Sequence, residues 1–126
     1  MDIQEQNGRG LKLRIDMFGR EAVEKRMSAF GDFGKPLQHI INAYAYGDVW
    51  QRPALAPAVK SLVMVAMMGA AGHNNELRVH IKGALKNGCS VEQIQDVLLL
   101  LTMYCGIPAA NEAHRIAADV LNEGKR

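Results

Sequence analysis

The chain has 126 residues, 15 of them basic and 13 acidic, and 48% are hydrophobic while only 6% are aromatic; this supports one domain, residues 1–126, with a core of aliphatic side chains and Met. The charges are scattered, with no basic run and no interleaved aromatics, which argues against a nucleic-acid partner. No apolar stretch approaches the length needed to cross about 30 Å of hydrocarbon, and the acidic, polar start at residues 1–6 has no signal-peptide pattern, so the expectation is a cytoplasmic protein with no membrane association.

Apolar residues recur at helical spacing over residues 11–18 and 20–30, with Gly19 and Gly31 as interruptions, which predicts two short helices. Pro36 opens a third, with Leu37, Ile40, Ile41 and Tyr44 on one face and Gly47 as its stop. Residues 47–53 break the periodicity, end on Pro53, hold the only Trp and read as a loop. Pro57 begins a helix that is apolar nearly all round and ends at Gly72. Asn74 is the expected N-cap of the next, in which Leu77, Ile81, Ala84 and Leu85 follow the helical period up to Asn87 and Gly88. Ser90 and Gln93 form a capping-box pattern ahead of Ile94, Val97, Leu98, Leu101 and Tyr104. Pro108 starts a last helix, and residues 122–126 read as a polar, frayed tail.

The fold class is therefore all-α, with six or seven helices. Residues 57–104 are too uniformly apolar for two or three further short helices to cover, and a helix that is hydrophobic all round must be buried. Self-association into a homo-oligomer answers this; a compact monomer with a thick core is the alternative.

Residues four apart share a helix face, so Glu76 and His80 can touch or point into one cleft, beside the small Gly83 and Ala84. A carboxylate next to an imidazole can fix its tautomer and present a proton donor near neutral pH, although such pairs are also common on solvated faces. Arg52 suits bidentate capture of a carboxylate, and Trp50 supplies a rigid apolar wall; a surface salt bridge and plain packing are the competing roles. Tyr104, at the break before Gly106 and Pro108, can donate to a substrate or satisfy a backbone carbonyl. Cys89 and Cys105 follow no zinc or thioredoxin-like spacing, and Cys105 lacks the features that lower a thiol pKa. His73, Glu76 and His80 make a mediocre ligand set, so no metal is expected.

The runs Gly47-Asp48-Val49-Trp50-Gln51-Arg52-Pro53-Ala54-Leu55, Ser61-Leu62-Val63, the stretch from Glu76 through His80 to Gly88, and Tyr104-Cys105-Gly106-Ile107-Pro108-Ala109-Ala110 resemble the carboxymuconolactone decarboxylase family in order and spacing. Gly10 to Arg14 and Phe18-Gly19 match more loosely. The resemblance implies an all-α, alkylhydroperoxidase D-like fold assembled into a ring-like homo-oligomer, commonly a hexamer. The sister peroxidase branch carries Cys-x-x-Cys four residues ahead of a His; those positions are His73 and Glu76 here, so disulfide-based peroxide reduction has no sulfur to use. Tyr46 stands where related decarboxylases often have Trp, and Lys60 where Arg is usual.

The implied activity is cofactor-independent decarboxylation of 4-carboxymuconolactone to the β-ketoadipate enol-lactone, in protocatechuate degradation. His80 would be the proton donor and Glu76 its orienting carboxylate; Arg52 would bind the carboxylate of a small anionic lactone, and Trp50 and Tyr104 would shape the pocket. Three other readings remain: a family enzyme for another lactone or keto acid, a non-catalytic oligomeric helical protein, and a redox protein using Cys105.

Overall fold

The computed structural model describes residues 1–124, and no strand occurs among them. The chain divides into two compact units, Met1–Leu55 and Ala56–Arg126. No helix among the described residues is long and apolar enough to cross a membrane.

In the first unit, α1 (Ile3–Phe18) begins well ahead of the periodic stretch, because the Asp2 carboxylate accepts the Glu5 amide at 2.8 Å and caps the first turn. Its polar opening turns are used in tertiary contacts: Gln6 Nε2 donates to the Ala43 carbonyl at 2.7 Å and Asn7 Nδ2 to that of His39 at 3.3 Å. After α2 (Arg20–Ser28) and a 3₁₀ turn at Gly31–Gly34, α3 (Lys35–Ile40) passes directly into a π-helical turn, Ile41–Tyr46. Such turns are rare and concentrate at functional sites. The expected loop that follows contains a 3₁₀ turn, Val49–Gln51.

The apolar face expected on the third helix is the exposed one. Leu37, Ile40 and Tyr44 are about half exposed, while Gln38, Asn42, Ala43 and Tyr46 are buried. The physical reason is Arg14 of α1, whose buried guanidinium needs oxygen acceptors that only the Gln38 and Asn42 side provides.

The second unit holds four helices: α4 (Pro57–Ala71), α5 (Asn74–Lys86), α6 (Val91–Cys105) and α7 (Ile107–Glu123). Gly72 ends α4 in the left-handed region at φ 74°, where its missing Cβ matters, and the His73 amide reaches back to the Met68 carbonyl at 3.0 Å. The N-cap of α5 is His73, not Asn74, and it makes no side-chain capping bond. At α6 the capping box is complete, Ser90 Oγ accepting from Gln93 N at 3.0 Å and Gln93 Oε1 from Ser90 N at 2.9 Å. Val65, Leu77, Ile81, Leu98 and Ile116 form the core where α4 packs against α5, α6 and α7. α4 contributes only its Ser61, Val65 and Gly69 face to full burial, and Val59, Val63 and Met67 stay exposed.

The tail is helical to Glu123, further than the polar composition suggests; Lys125 and Arg126 lie outside the described residues. Glu123 meets Arg78 at 2.8 Å and Lys82 at 2.9 Å, and Arg78 also meets Asp119 at 2.7 Å, so charges on α5 hold the end of α7.

Two outcomes follow from this packing. α1 approaches the π turn so closely that a Cβ on Gly10 would overlap the Asn42 carbonyl oxygen, a main-chain atom that cannot swing away. Gly10→Ala should cost about 3 kcal/mol in urea unfolding followed by Trp50 emission. Glu123 is held below the usual carboxylate range, first by the Lys82 hydrogen bond and then by the charges of Lys82 and Arg78. A carboxyl with a lowered folded-state pKa stabilises the fold above its unfolded value, about 4.3, and loses that contribution as pH falls through the folded value. The Tm difference between wild type and Glu123→Gln should therefore be full at neutral pH and vanish in acid.

Candidate active site

α5 turns Leu77, His80, Ile81 and Ala84 inward at helical spacing, and His80 is only 7% exposed. Glu76 sits in the first turn of the same helix but is exposed, and it makes no hydrogen bond or ion pair with a described residue. Glu76 and His80 thus differ in depth: Glu76 faces solvent beside the positive end of the helix dipole, and His80 is drawn onto the core face. Tyr104, near the end of α6, is 86% exposed, and with Cys105 it borders an apolar groove of about 390 Å³ between α4 and α6. Its neighbours there include Val59, Val63, Val97 and Leu100. Neither a buried tyrosine nor a backbone carbonyl partner describes it.

Trp50 and Arg52 belong to the first unit. Arg52 grips Asp48 with its Nε–Nη2 edge, Nε donating to Oδ1 at 3.1 Å and Nη2 to Oδ2 at 3.4 Å. Both side chains are well exposed, so the pair is weakly held and exchangeable. Trp50 stacks on Tyr46 at 5.9 Å and 16°, and Tyr46 meets Phe18 edge-on at 5.9 Å. Above Tyr46 lies the Arg14 guanidinium, 5.6 Å from the ring centroid. Burial pushes the Tyr46 phenol above its usual pKa, with Arg14 and Arg26 opposing the shift.

Sequence reasoning singled out Trp50 and Arg52 but missed Arg14. The available signal was its spacing: Gly10, Arg14 and Met17 fall on one helical face, and all three are buried. An arginine on an inward face calls for a partner, and the partners are two amides brought by α3 and the π turn.

Among the described residues, no three of His, Cys, Asp and Glu stand close enough to hold a metal ion, so His73, Glu76 and His80 do not converge. Cys89 and Cys105 are free thiols, one buried and one exposed. Burial raises the Cys89 thiol pKa, and its Sγ donates to the Ala58 carbonyl at 3.3 Å, which marks a packed and unreactive side chain.

Comparison with known proteins joins these observations to a family. The chain is 31% identical over 123 residues to 4-carboxymuconolactone decarboxylase of Acinetobacter baylyi, covering 98% of this chain and 92% of that protein. It is 33% identical over 114 residues to nitrosuccinic acid decarboxylase of Metarhizium robertsii, covering 90% and 80%. A shorter match, 35% identical over 75 residues, covers 56% of this chain and 35% of peroxisomal protein 2 of Schizosaccharomyces pombe. Both relatives that span most of the chain are named as decarboxylases, that is, carboxy-lyases. A model of the carboxymuconolactone decarboxylase family matches residues 35–119, from the start of α3 to within α7, and the chain belongs to that family.

Proposed function

We propose that this enzyme decarboxylates 4-carboxymuconolactone to the β-ketoadipate enol-lactone, without a cofactor, in the cytoplasmic degradation of protocatechuate. The observation that carries the reading is the end-to-end similarity to a decarboxylase of that name. In the reaction the bond to the leaving carboxylate breaks and carbon dioxide departs. The electron pair moves through the ring double bond onto the lactone carbonyl, and a ring carbon then takes a proton. Such chemistry needs stabilisation of an oxyanion and one well-placed acid.

His80 is the proposed acid: it is a buried imidazole on a rigid helix, the side chain best suited to proton transfer near neutral pH. Arg52 is proposed to exchange Asp48 for a substrate carboxylate, and Trp50 and Tyr104 to supply apolar surface. Glu76 is proposed to tune the site from the first turn of α5, a role that requires its carboxylate to turn toward His80 when substrate is bound. A second reading is favoured by the nitrosuccinic acid relative: the substrate is another small acid whose carbon–carbon bond breaks toward an electron-accepting group.

Incubation with carboxymuconolactone generated in situ, followed by ultraviolet absorbance and carbon dioxide release, tests the reading. His80→Ala should lose about 100-fold or more in kcat, and Glu76→Gln less. Full activity in His80→Ala would remove the assignment.

The exposed apolar side chains support self-association as a homo-oligomer, proposed to be a hexamer. On α6, Leu99, Leu100 and Met103 are 51%, 62% and 78% exposed, a concentration rarely left facing water. Leu100→Glu should shift sedimentation toward a smaller species while helical circular dichroism is kept. An unchanged sedimentation coefficient would count against an interface on this face.

A further inference from the structure

Arg14 is the one fully buried arginine among the described residues, with 4% of its surface exposed. Its Nη1 donates to Gln38 Oε1 at 2.8 Å and to Asn42 Oδ1 at 3.0 Å, both neutral acceptors. No carboxylate of a described residue pairs with it, whereas Arg52 and Arg115 each hold one and Arg78 holds two. A guanidinium carries five N–H donors, and those on Nε and Nη2 meet no acceptor among the described residues. These two nitrogens are not sealed in, because no enclosed side-chain nitrogen or oxygen lacks a partner. Arg14 is therefore almost wholly buried, yet the unpaired edge of its guanidinium is not completely enclosed.

That edge offers two parallel donors to one planar acceptor, the geometry a carboxylate accepts best. The surroundings are electropositive. Burial holds the Arg14 pKa below its usual value; Tyr46 opposes the shift and the charge of Arg26 adds to it, and Arg26 has no carboxylate partner among the described residues either. A cation taken out of water with no counter-charge is costly, and an arriving anion would relieve that cost.

We propose that the unpaired Nε–Nη2 edge of Arg14 binds a carboxylate of the substrate, and that this is the carboxylate the reaction retains. A guanidinium paired with the departing carboxylate would stabilise the ground state and slow its loss; paired with a second carboxylate, it anchors the molecule without opposing the chemistry. The acid is then held by the carboxylate it keeps. The identity of the acid rests on the decarboxylase reading, while the binding edge does not. Arg14 also lies ahead of residues 35–119, so the anchor is outside the segment that defines the family.

Trp50 is the only Trp and stacks on Tyr46, which in turn lies under Arg14, so its emission reports on the site. Wild type should show a saturable emission change with succinate and none with dimethyl succinate or with sodium chloride at equal ionic strength. Arg14→Gln, whose amide can still meet Gln38 and Asn42, should weaken succinate binding about tenfold or more and raise KM for carboxymuconolactone similarly, with kcat changed far less. Arg14→Lys should keep the charge but lose most of the affinity, and Arg9→Gln, exposed on the same helix, should change nothing. No saturable response in wild type would overturn the proposal, as would an unchanged Kd in Arg14→Gln or, should that variant not fold, in Arg14→Lys. Turnover of the lactone with unchanged KM in the Arg14 variants would remove this anchor and leave the decarboxylase reading. Succinate binding through Arg14 without any turnover would do the reverse.

Discussion

The first unit is organised by the close approach of α1 to the π turn, with no side chain between them at Gly10 and Gly47. Arg14, one turn on from Gly10, lies on the same buried face. The helix opposite must then present Gln38 and Asn42, and its Leu37, Ile40 and Tyr44 must turn outward. The π turn makes this possible, because it continues α3 while changing the direction in which successive side chains point. Tyr46 closes the turn under the guanidinium and stacks with Trp50. A polar, positively charged interior next to an aromatic ladder is thus a consequence of backbone packing.

The second unit follows different physics. Its core is a conventional aliphatic one, and α5 is amphipathic enough to put Leu77, Ile81 and Ala84 inside with His80 among them. The ion pairs from Arg78 and Lys82 to the end of α7 lie at its surface, where each contributes little alone. α4 and α6 carry more apolar surface than this unit can bury, and the excess collects along the groove that Tyr104 borders. Apolar area left in water is a driving force for association, which is why the proposed assembly is part of the same physical account as the fold.

The proposed chemistry asks little of the protein beyond placement. Departure of carbon dioxide needs an electron sink that the substrate itself provides, so the protein's task is to hold carboxylates, exclude water and deliver one proton. Arg52 and Arg14 differ in how they suit the first of these. Arg52 is exposed and already paired with Asp48, so binding through it is an exchange between two well-solvated partners; Arg14 is buried and has no counter-charge among the described residues. A carboxylate gains more from the second kind of partner, since the field of a buried cation is less screened.

What the sequence by itself determined was the family, the all-α class and most helix limits. These depend on local chemistry: proline near the first position, glycine past the last, a serine with a glutamine three residues on, and apolar residues at helical spacing. Ser90 with Gln93, Gly72 and Pro57 all acted as their types require. The early start of α1 was hidden because its first turns are polar and face other segments. Tertiary structure alone decided which face of the third helix is buried, because a buried arginine outweighed an apolar stripe. It also set Glu76 at the surface and His80 inside, since sharing a helix face does not fix depth, and it buried Arg14, whose lack of a carboxylate partner is a relation among α1, α3 and the π turn that no local pattern encodes.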